Sequence, residues 1–139
     1  MKQKTIGSAV EFLGPSIVSD DLAYIKVKPA SPGAGIRFVR TDIGGVIPCH
    51  PSCVCWEGRS KWTSLQRGDA KVEGVEHLLA ALWGMGITNA EIELSSPYIP
   101  VLDGSAAPFV DAFQRALIIV EEERYIPEFA VREQHTVYE

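Results

Sequence analysis

Long apolar runs are missing from this sequence: no stretch approaches the roughly 20 residues that a membrane-spanning helix needs. The start, Met1-Lys2-Gln3-Lys4, is polar and leads into no signal-peptide core, so the expected location is cytoplasmic. Runs of Lys or Arg are missing too. With 13 bases against 18 acids the net charge is −5, which disfavours nucleic acid and anionic membrane surfaces as partners. Cysteine is scarce, with three residues all inside Cys49-His50-Pro51-Ser52-Cys53-Val54-Cys55. An odd, clustered set does not build a disulfide scaffold, and reduced thiols are expected. No segment is compositionally disordered or of low complexity.

What is present is ordinary for a globular domain. The 139 residues are 46% hydrophobic and 22% charged, enough for one domain with a real core. Val10 to Leu13 reads as a short strand ended by Gly14-Pro15. Leu22 to Lys28 alternates, with Ala23, Ile25 and Val27 on the inner face. After the Pro- and Gly-rich turn from Pro29 to Gly35, the stretch Gly35 to Arg40 alternates again. It is expected to bury Ile36, Phe38 or their neighbours and to turn Arg37 and Arg40 outward. Two such strands joined by a short connector predict an antiparallel pair. Residues 43–72 read as short strands and loops anchored by Trp56, Trp62 and Leu65.

The clearest helix covers 75–85, where Val75, Leu78, Leu79 and Leu82 form one stripe, with Gly74 as N-cap and Gly84 or Gly86 as the stop. Ala80, Ala81 and Gly84 leave its flank thin enough for another backbone to approach. Ala90 to Leu94 is a strand with Ile92 inward and Glu91 and Glu93 outward; the Pro-containing segment 95–100 is an extended loop. Asp103-Gly104 predicts a turn, Ser105 an N-cap, and Pro108 the first turn of a helix continuing through Phe109, Val110, Phe113, Ala116, Leu117 and Val120. Glu121 to Arg124 is its solvated end. Phe129 to Tyr138 is one more strand or the start of a further unit. Strands and helices without strict alternation predict an α+β two-layer sandwich, one mostly antiparallel β-sheet packed against two helices.

Glu76-His77 sits in the first turn of the best helix. The helix N-terminus favours an ionised Glu and a neutral His, the forms a base and a metal ligand need. The same pair has a plain reading, since acidic residues belong in any first turn and an adjacent His can be incidental. No HExxH motif is present, and no second His lies one turn away. Asp103 to Ala106 has a plain reading as a turn and a cap. Cys49, His50, Cys53 and Cys55 are four candidate metal ligands, but their spacing fits neither CxxC pattern, and they are read as thiols in a loop or strand without a structural metal.

Three strings stand in order: Val75-Glu76-His77-Leu78-Leu79-Ala80-Ala81-Leu82, Gly84-Met85-Gly86-Ile87-Thr88-Asn89-Ala90 and Asp103-Gly104-Ser105-Ala106-Ala107-Pro108-Phe109. With Gln3-Lys4-Thr5-Ile6, Lys28-Pro29-Ala30, Gly35-Ile36-Arg37-Phe38 and Arg40-Thr41-Asp42, they make residues 1–125 resemble the N-terminal domain of the LpxC family. These are the zinc-dependent UDP-3-O-acyl-N-acetylglucosamine deacetylases of lipid A synthesis. The resemblance implies Glu76 as the general base that activates a zinc-bound water, His77 as one zinc ligand, and weaker substrate contacts at Ile17 and Thr63. It implies a fold of one helical layer on one sheet, used twice in the family's full chain.

Departures accompany it. The family's Gly-Leu-His-Ser/Thr-Gly loop reads Ser16-Ile17-Val18-Ser19-Asp20 here, and Glu73-Gly74 stands where a small hydroxyl pair is usual. His50 and His135 match no ligand motif of the family. The resemblance places the other zinc ligands and a catalytic His in a second domain, with residues 126–139 a tail or its beginning. Three expectations follow: a half-enzyme, inactive alone, that works with a second-domain partner on UDP-acyl-GlcNAc; a non-catalytic descendant; or a homodimeric or partner-binding module, in which two His77 residues could share a metal.

Overall fold

The computed structural model describes residues 1–56, 61–126, 130, 132–134 and 136–138, without the side chains of 122–125. His135 and Phe129 lie outside the described residues, and the described part of the tail contains no strand. The elements are β1 (Lys2–Ile6), β2 (Val10–Pro15), β3 (Leu22–Pro29), β4 (Ile36–Arg40), β5 (Gly45–Pro48), β6 (Ser64–Arg67), β7 (Ala70–Glu73), α1 (Glu76–Gly84), β8 (Ala90–Leu94), α2 (Ala107–Arg115) and β9 (Ile118–Tyr125). A 3-10 turn, Pro51–Cys53, precedes β6. Among the described residues no helix is long and apolar enough to cross a membrane.

The main sheet has the order β2-β3-β8-β4-β5, antiparallel throughout except for the parallel β4–β8 pair. The α+β fold expected from the sequence is therefore present, but β3 and β4 do not pair with each other: β8 lies between them. The reason is visible in the charges. The outward residues of β8, Glu91 and Glu93, meet Lys28 of β3, and Glu91 also accepts from Arg37 Nε of β4 at 2.8 Å. An acidic strand thus sits between two basic ones while Ile92 goes to the core. Burial pushes the Glu91 carboxyl up, but its bonds to Arg37 and Lys28 outweigh this and leave it below the usual carboxylate value.

Two small antiparallel sheets flank this one, β1–β9 and the β6–β7 hairpin. Ala23, Ile25 and Val27 are fully buried, as their alternation predicts. Phe12 of β2 meets two α2 rings edge-on, Phe109 at 4.8 Å and Phe113 at 6.2 Å, joining sheet to helix. A polar knot locks the turn after β3: Asn89 Oδ1 accepts from Gly35 N at 2.8 Å, and Asn89 Nδ2 donates to Gln3 Oε1 at 2.9 Å and to Glu121 Oε2 at 2.7 Å.

Several local expectations change. Arg40 is buried rather than turned outward, because its guanidinium donates to both Asp42 oxygens (2.9 and 2.7 Å) and to Lys71 O (2.8 Å). Trp56 is 84% exposed and so is no core anchor, whereas Leu65 is buried. The N-cap of α1 is Val75, and Gly74, at φ +78°, is the turn before it. On the flank of α1, Ala81 is buried, and no described atom lies within 4 Å of a β-carbon built on Gly84. The second helix is shorter than its apolar period: Ala116 is its C-cap, Leu117 turns left-handed at φ +65°, and 118–125 pairs with β1 as β9. Its N-cap is Ala106, one residue after Ser105.

Candidate functional site

The hairpin β6–β7 delivers the chain to α1. Its last residue, Glu73, is followed by Gly74, whose left-handed φ of +78° turns the backbone into the helix. Thr63, just before β6, closes this junction. Its carbonyl accepts from Gly74 N at 2.9 Å and Val75 N at 3.1 Å, and its own N–H donates to Glu76 Oε2 at 3.0 Å. Val75 is fully buried and fixes the depth of the helix start. The Glu76 carboxylate is thus oriented by a backbone donor in the first turn of α1.

Ile17 enters from the β2–β3 loop. A β-carbon on Gly74 would lie 2.6 Å from Ile17 Cγ2, so the two segments touch without room for a side chain between them. The loop is folded on itself by Ser16, whose hydroxyl accepts from Ser19 N and donates to Ser19 O, both at 2.8 Å. The four candidate residues therefore gather around one junction: Ile17 against Gly74, Thr63 beneath Glu76, and His77 next along the helix, half-buried. Thr63 takes part through its backbone, which its side-chain type could not announce.

A strap of residues 97–101 crosses the same place. Glu73 N donates to Pro97 O at 2.7 Å, Ile99 N to Glu73 O at 3.3 Å, and Val101 N to Pro15 O at 2.9 Å. Beyond it, Leu102 (φ +53°) and Gly104 (φ +83°) bracket Asp103 in a tight turn. Asp103 Oδ1 accepts from both the N–H and the hydroxyl of Ser105, each at 2.8 Å. These bonds hold the Asp103 carboxyl below the usual carboxylate range, with a smaller electrostatic contribution from His77. Asp103 is the turn residue that the sequence leads one to expect. An Asp-Gly-Ser string signals a turn in any protein, and here the turn follows directly on the strap.

The cysteines are elsewhere. Cys53 is buried, Cys49 exposed and Cys55 between the two, and none is bonded to another cysteine. Although Cys49 as a residue is exposed, desolvation of its sulfur, and to a lesser extent Cys53, raises the thiol pKa. Cys55 Sγ lies 3.7 Å from Gln66 Oε1 in a cavity of about 570 Å³ whose walls include Cys53, Trp56 and Lys71. None of Ile17, Thr63, Glu76 or His77 lines it.

Among the described residues no three His, Cys, Asp or Glu side chains gather as a metal site. A catalytic zinc takes three protein ligands and a water. The donors present thus fit such an ion as one imidazole ligand, and do not enclose it.

The sequence model of the UDP-3-O-acyl N-acetylglycosamine deacetylase family matches residues 3–139. A UDP-3-O-acyl-N-acetylglucosamine deacetylase of Coxiella burnetii (strain Dugway 5J108-111) is 40% identical over 133 residues, which cover 95% of this chain and 43% of that relative. The enzyme of the same name from Methylococcus capsulatus is 37% identical over 124 residues, covering 88% of this chain and 40% of the relative. That of Citrifermentans bemidjiense is 40% identical over 116 residues, 82% of this chain and 37% of the relative. The chain thus spans less than half the length of the curated relatives it matches.

Proposed function

This chain belongs to the UDP-3-O-acyl N-acetylglycosamine deacetylase family, and from that premise we propose that it supplies the N-terminal part of a cytoplasmic zinc-dependent deacetylase of lipid A synthesis. Residues 1–125 are the domain that carries this part, and 126–139 are a tail or the start of a second domain. The substrate class is a UDP-linked, 3-O-acylated N-acetylglucosamine, whose acetyl group leaves as acetate. Zinc, when bound, supplies Lewis-acid activation of water and of the amide carbonyl.

The chain's own share of the chemistry is a base and a ligand. Glu76 takes the proton from the attacking water, and the Thr63 N–H at 3.0 Å keeps its carboxylate aimed while it does so. His77 offers one nitrogen to the metal, and the remaining ligands lie outside residues 1–139. Ile17, packed on Gly74, and Thr63 form the wall nearest the substrate. The carrying observation is the convergence of Ile17, Thr63, Glu76 and His77 on the single junction at Gly74. Residues 1–139 alone are inactive on this reading.

The test combines this chain with a chain spanning the rest of a relative's length. Zinc uptake and acetate release are expected from the pair and not from this chain alone, and Glu76→Gln is expected to lower kcat about 10²- to 10⁴-fold with zinc content unchanged. If the combined chains take up no zinc, the proposal is lost.

A second reading, a non-catalytic module that binds a second copy or another partner, is favoured by one observation: Trp83 projects from α1 at 74% exposure beside the exposed Ala80 and Gly84.

A further inference from the structure

The cavity beside the cysteines, about 570 Å³, falls within the roughly 300–1,000 Å³ typical of small-molecule sites. Three polar side chains on its wall are each held by a neighbour, and each keeps bonding capacity to spare. Gln66 Nε2 donates to Gly68 O at 3.0 Å, which fixes the plane of the amide and leaves its other N–H. Ser52 Oγ lies 2.7 Å from His50 Nδ1. Because Nδ1 also accepts from Ser52 N at 3.2 Å, the ring nitrogen is the acceptor and the hydroxyl donates to it. The Ser52 oxygen thus keeps lone pairs for an incoming donor, beyond a 4.0 Å contact with Cys53 Sγ. Lys71 Nζ meets Glu73 Oε1 at 2.9 Å and keeps further N–H donors. Side chains locked in this way lose little freedom when a ligand arrives. Trp56 completes the wall, an indole 84% exposed on a largely polar cavity.

These groups select a class of ligand. Among the described wall residues Lys71 is the only charged one, and Glu73 already meets its charge, so an anion gains little there. A purely apolar ligand is disfavoured as well, because it would strip water from the amide, the hydroxyl and the ammonium without replacing it. A ring with an apolar C–H face and several hydroxyls satisfies both parts of the wall. Its face covers the indole, while its hydroxyls donate to Ser52 and accept from Gln66 and Lys71. We propose that this cavity binds a neutral saccharide, with Trp56 as the stacking platform and Ser52, Gln66 and Lys71 as the polar contacts. None of Ile17, Thr63, Glu76 or His77 lines it, so the site stands or falls independently of the deacetylase assignment.

The experiment is a ¹H–¹⁵N NMR titration of the chain with glucose, N-acetylglucosamine and cellobiose, one at a time. At least one sugar is expected to shift the Trp56 indole N–H and the Gln66 side-chain amide saturably, with a dissociation constant of about 1 mM. Trp56→Ala should weaken binding about 10-fold, and Gln66→Ala about 3- to 10-fold. Trp56 is mostly exposed, so its replacement leaves the chain folded, which an unchanged thermal midpoint verifies. Trp83→Gln and Glu76→Gln should leave the affinity as it was. No saturable shift at Trp56 with any of the three sugars overturns the proposal, as does equal affinity in folded Trp56→Ala. Loss of binding in Glu76→Gln would place the sugar at the Gly74 junction and overturn it too. Inorganic phosphate that shifts the same resonances at lower concentration than any sugar would overturn the assignment to a neutral ligand.

Discussion

Gly74 and Ile17 are so close that a β-carbon on the glycine would stand 2.6 Å from Ile17 Cγ2, and the glycine also sits at φ +78°. Gly74→Ala therefore meets two separate costs, a backbone conformation that L-residues avoid and a steric overlap. We expect a loss of about 1–3 kcal/mol in urea unfolding. Adding Ile17→Ala should recover the steric part and leave the backbone part, so the double-mutant cycle should show a coupling of at least ~0.5 kcal/mol. Additive effects would mean that the two segments are not in contact.

Leu117 lies in the left-handed region at φ +65° directly after the C-cap of α2, where α1 has Gly86 at φ +68° in the equivalent place. The leucine is 66% exposed, so its side chain contributes little packing. Leu117→Gly is expected to raise stability by about 0.5–1 kcal/mol, seen as a higher thermal midpoint. A lower midpoint would show that the exposed side chain matters more than the strain.

Asn89 is buried and ties Gln3, Glu121 and Gly35 together. Asn89→Ala leaves the Gly35 N–H without its acceptor and removes the side-chain link between Gln3 of β1 and Glu121 of β9. A destabilisation of about 2–3 kcal/mol is expected. Hydrogen exchange should quicken first in residues 31–35, and unchanged exchange there would refute the pinning role.

Asp42 gains its Arg40 bond on folding, which together with local backbone donors lowers its carboxyl pKa against a smaller opposing effect of burial. A carboxyl lowered in the folded state stabilises above its unfolded value of about 3.9, and that contribution is lost as pH falls through the lower folded value. Wild type should therefore exceed Asp42→Asn in urea midpoint at pH 7, with the gap closing below about pH 4. A gap that persists at pH 2 would assign the effect to something other than the charge.

Trp83 touches solvent over most of its surface. Trp83→Gln should change stability by no more than about 0.5 kcal/mol. If α1 carries a self-association face, the same change should bring the light-scattering mass down to that of one chain.

Much of the fold was legible in the residues. The burial of Ala23, Ile25 and Val27 follows from alternation, the position of α1 from its i, i+3, i+4, i+7 stripe, and the strand 90–94 from its alternating acids. What misled was local pattern without knowledge of partners. The period through Val120 reads as helix because nothing in the sequence shows that β1 is waiting to pair with β9. Arg40 reads as an outward residue because the Lys71 carbonyl that receives it is 31 residues away.

The same division holds at the site. The sequence by itself determined that Glu76 and His77 open a helix, since the stripe, the turn glycine and the acidic first turn are local properties of consecutive residues. Only the tertiary structure decided what surrounds them. Thr63 reaches Glu76 through a backbone N–H that every residue but proline has, and the strap 97–101 crosses the same junction because it is hydrogen-bonded to Glu73 and Pro15. Backbone donors and long-range bonds leave no mark on residue type, so they emerge only once the chain has closed on itself.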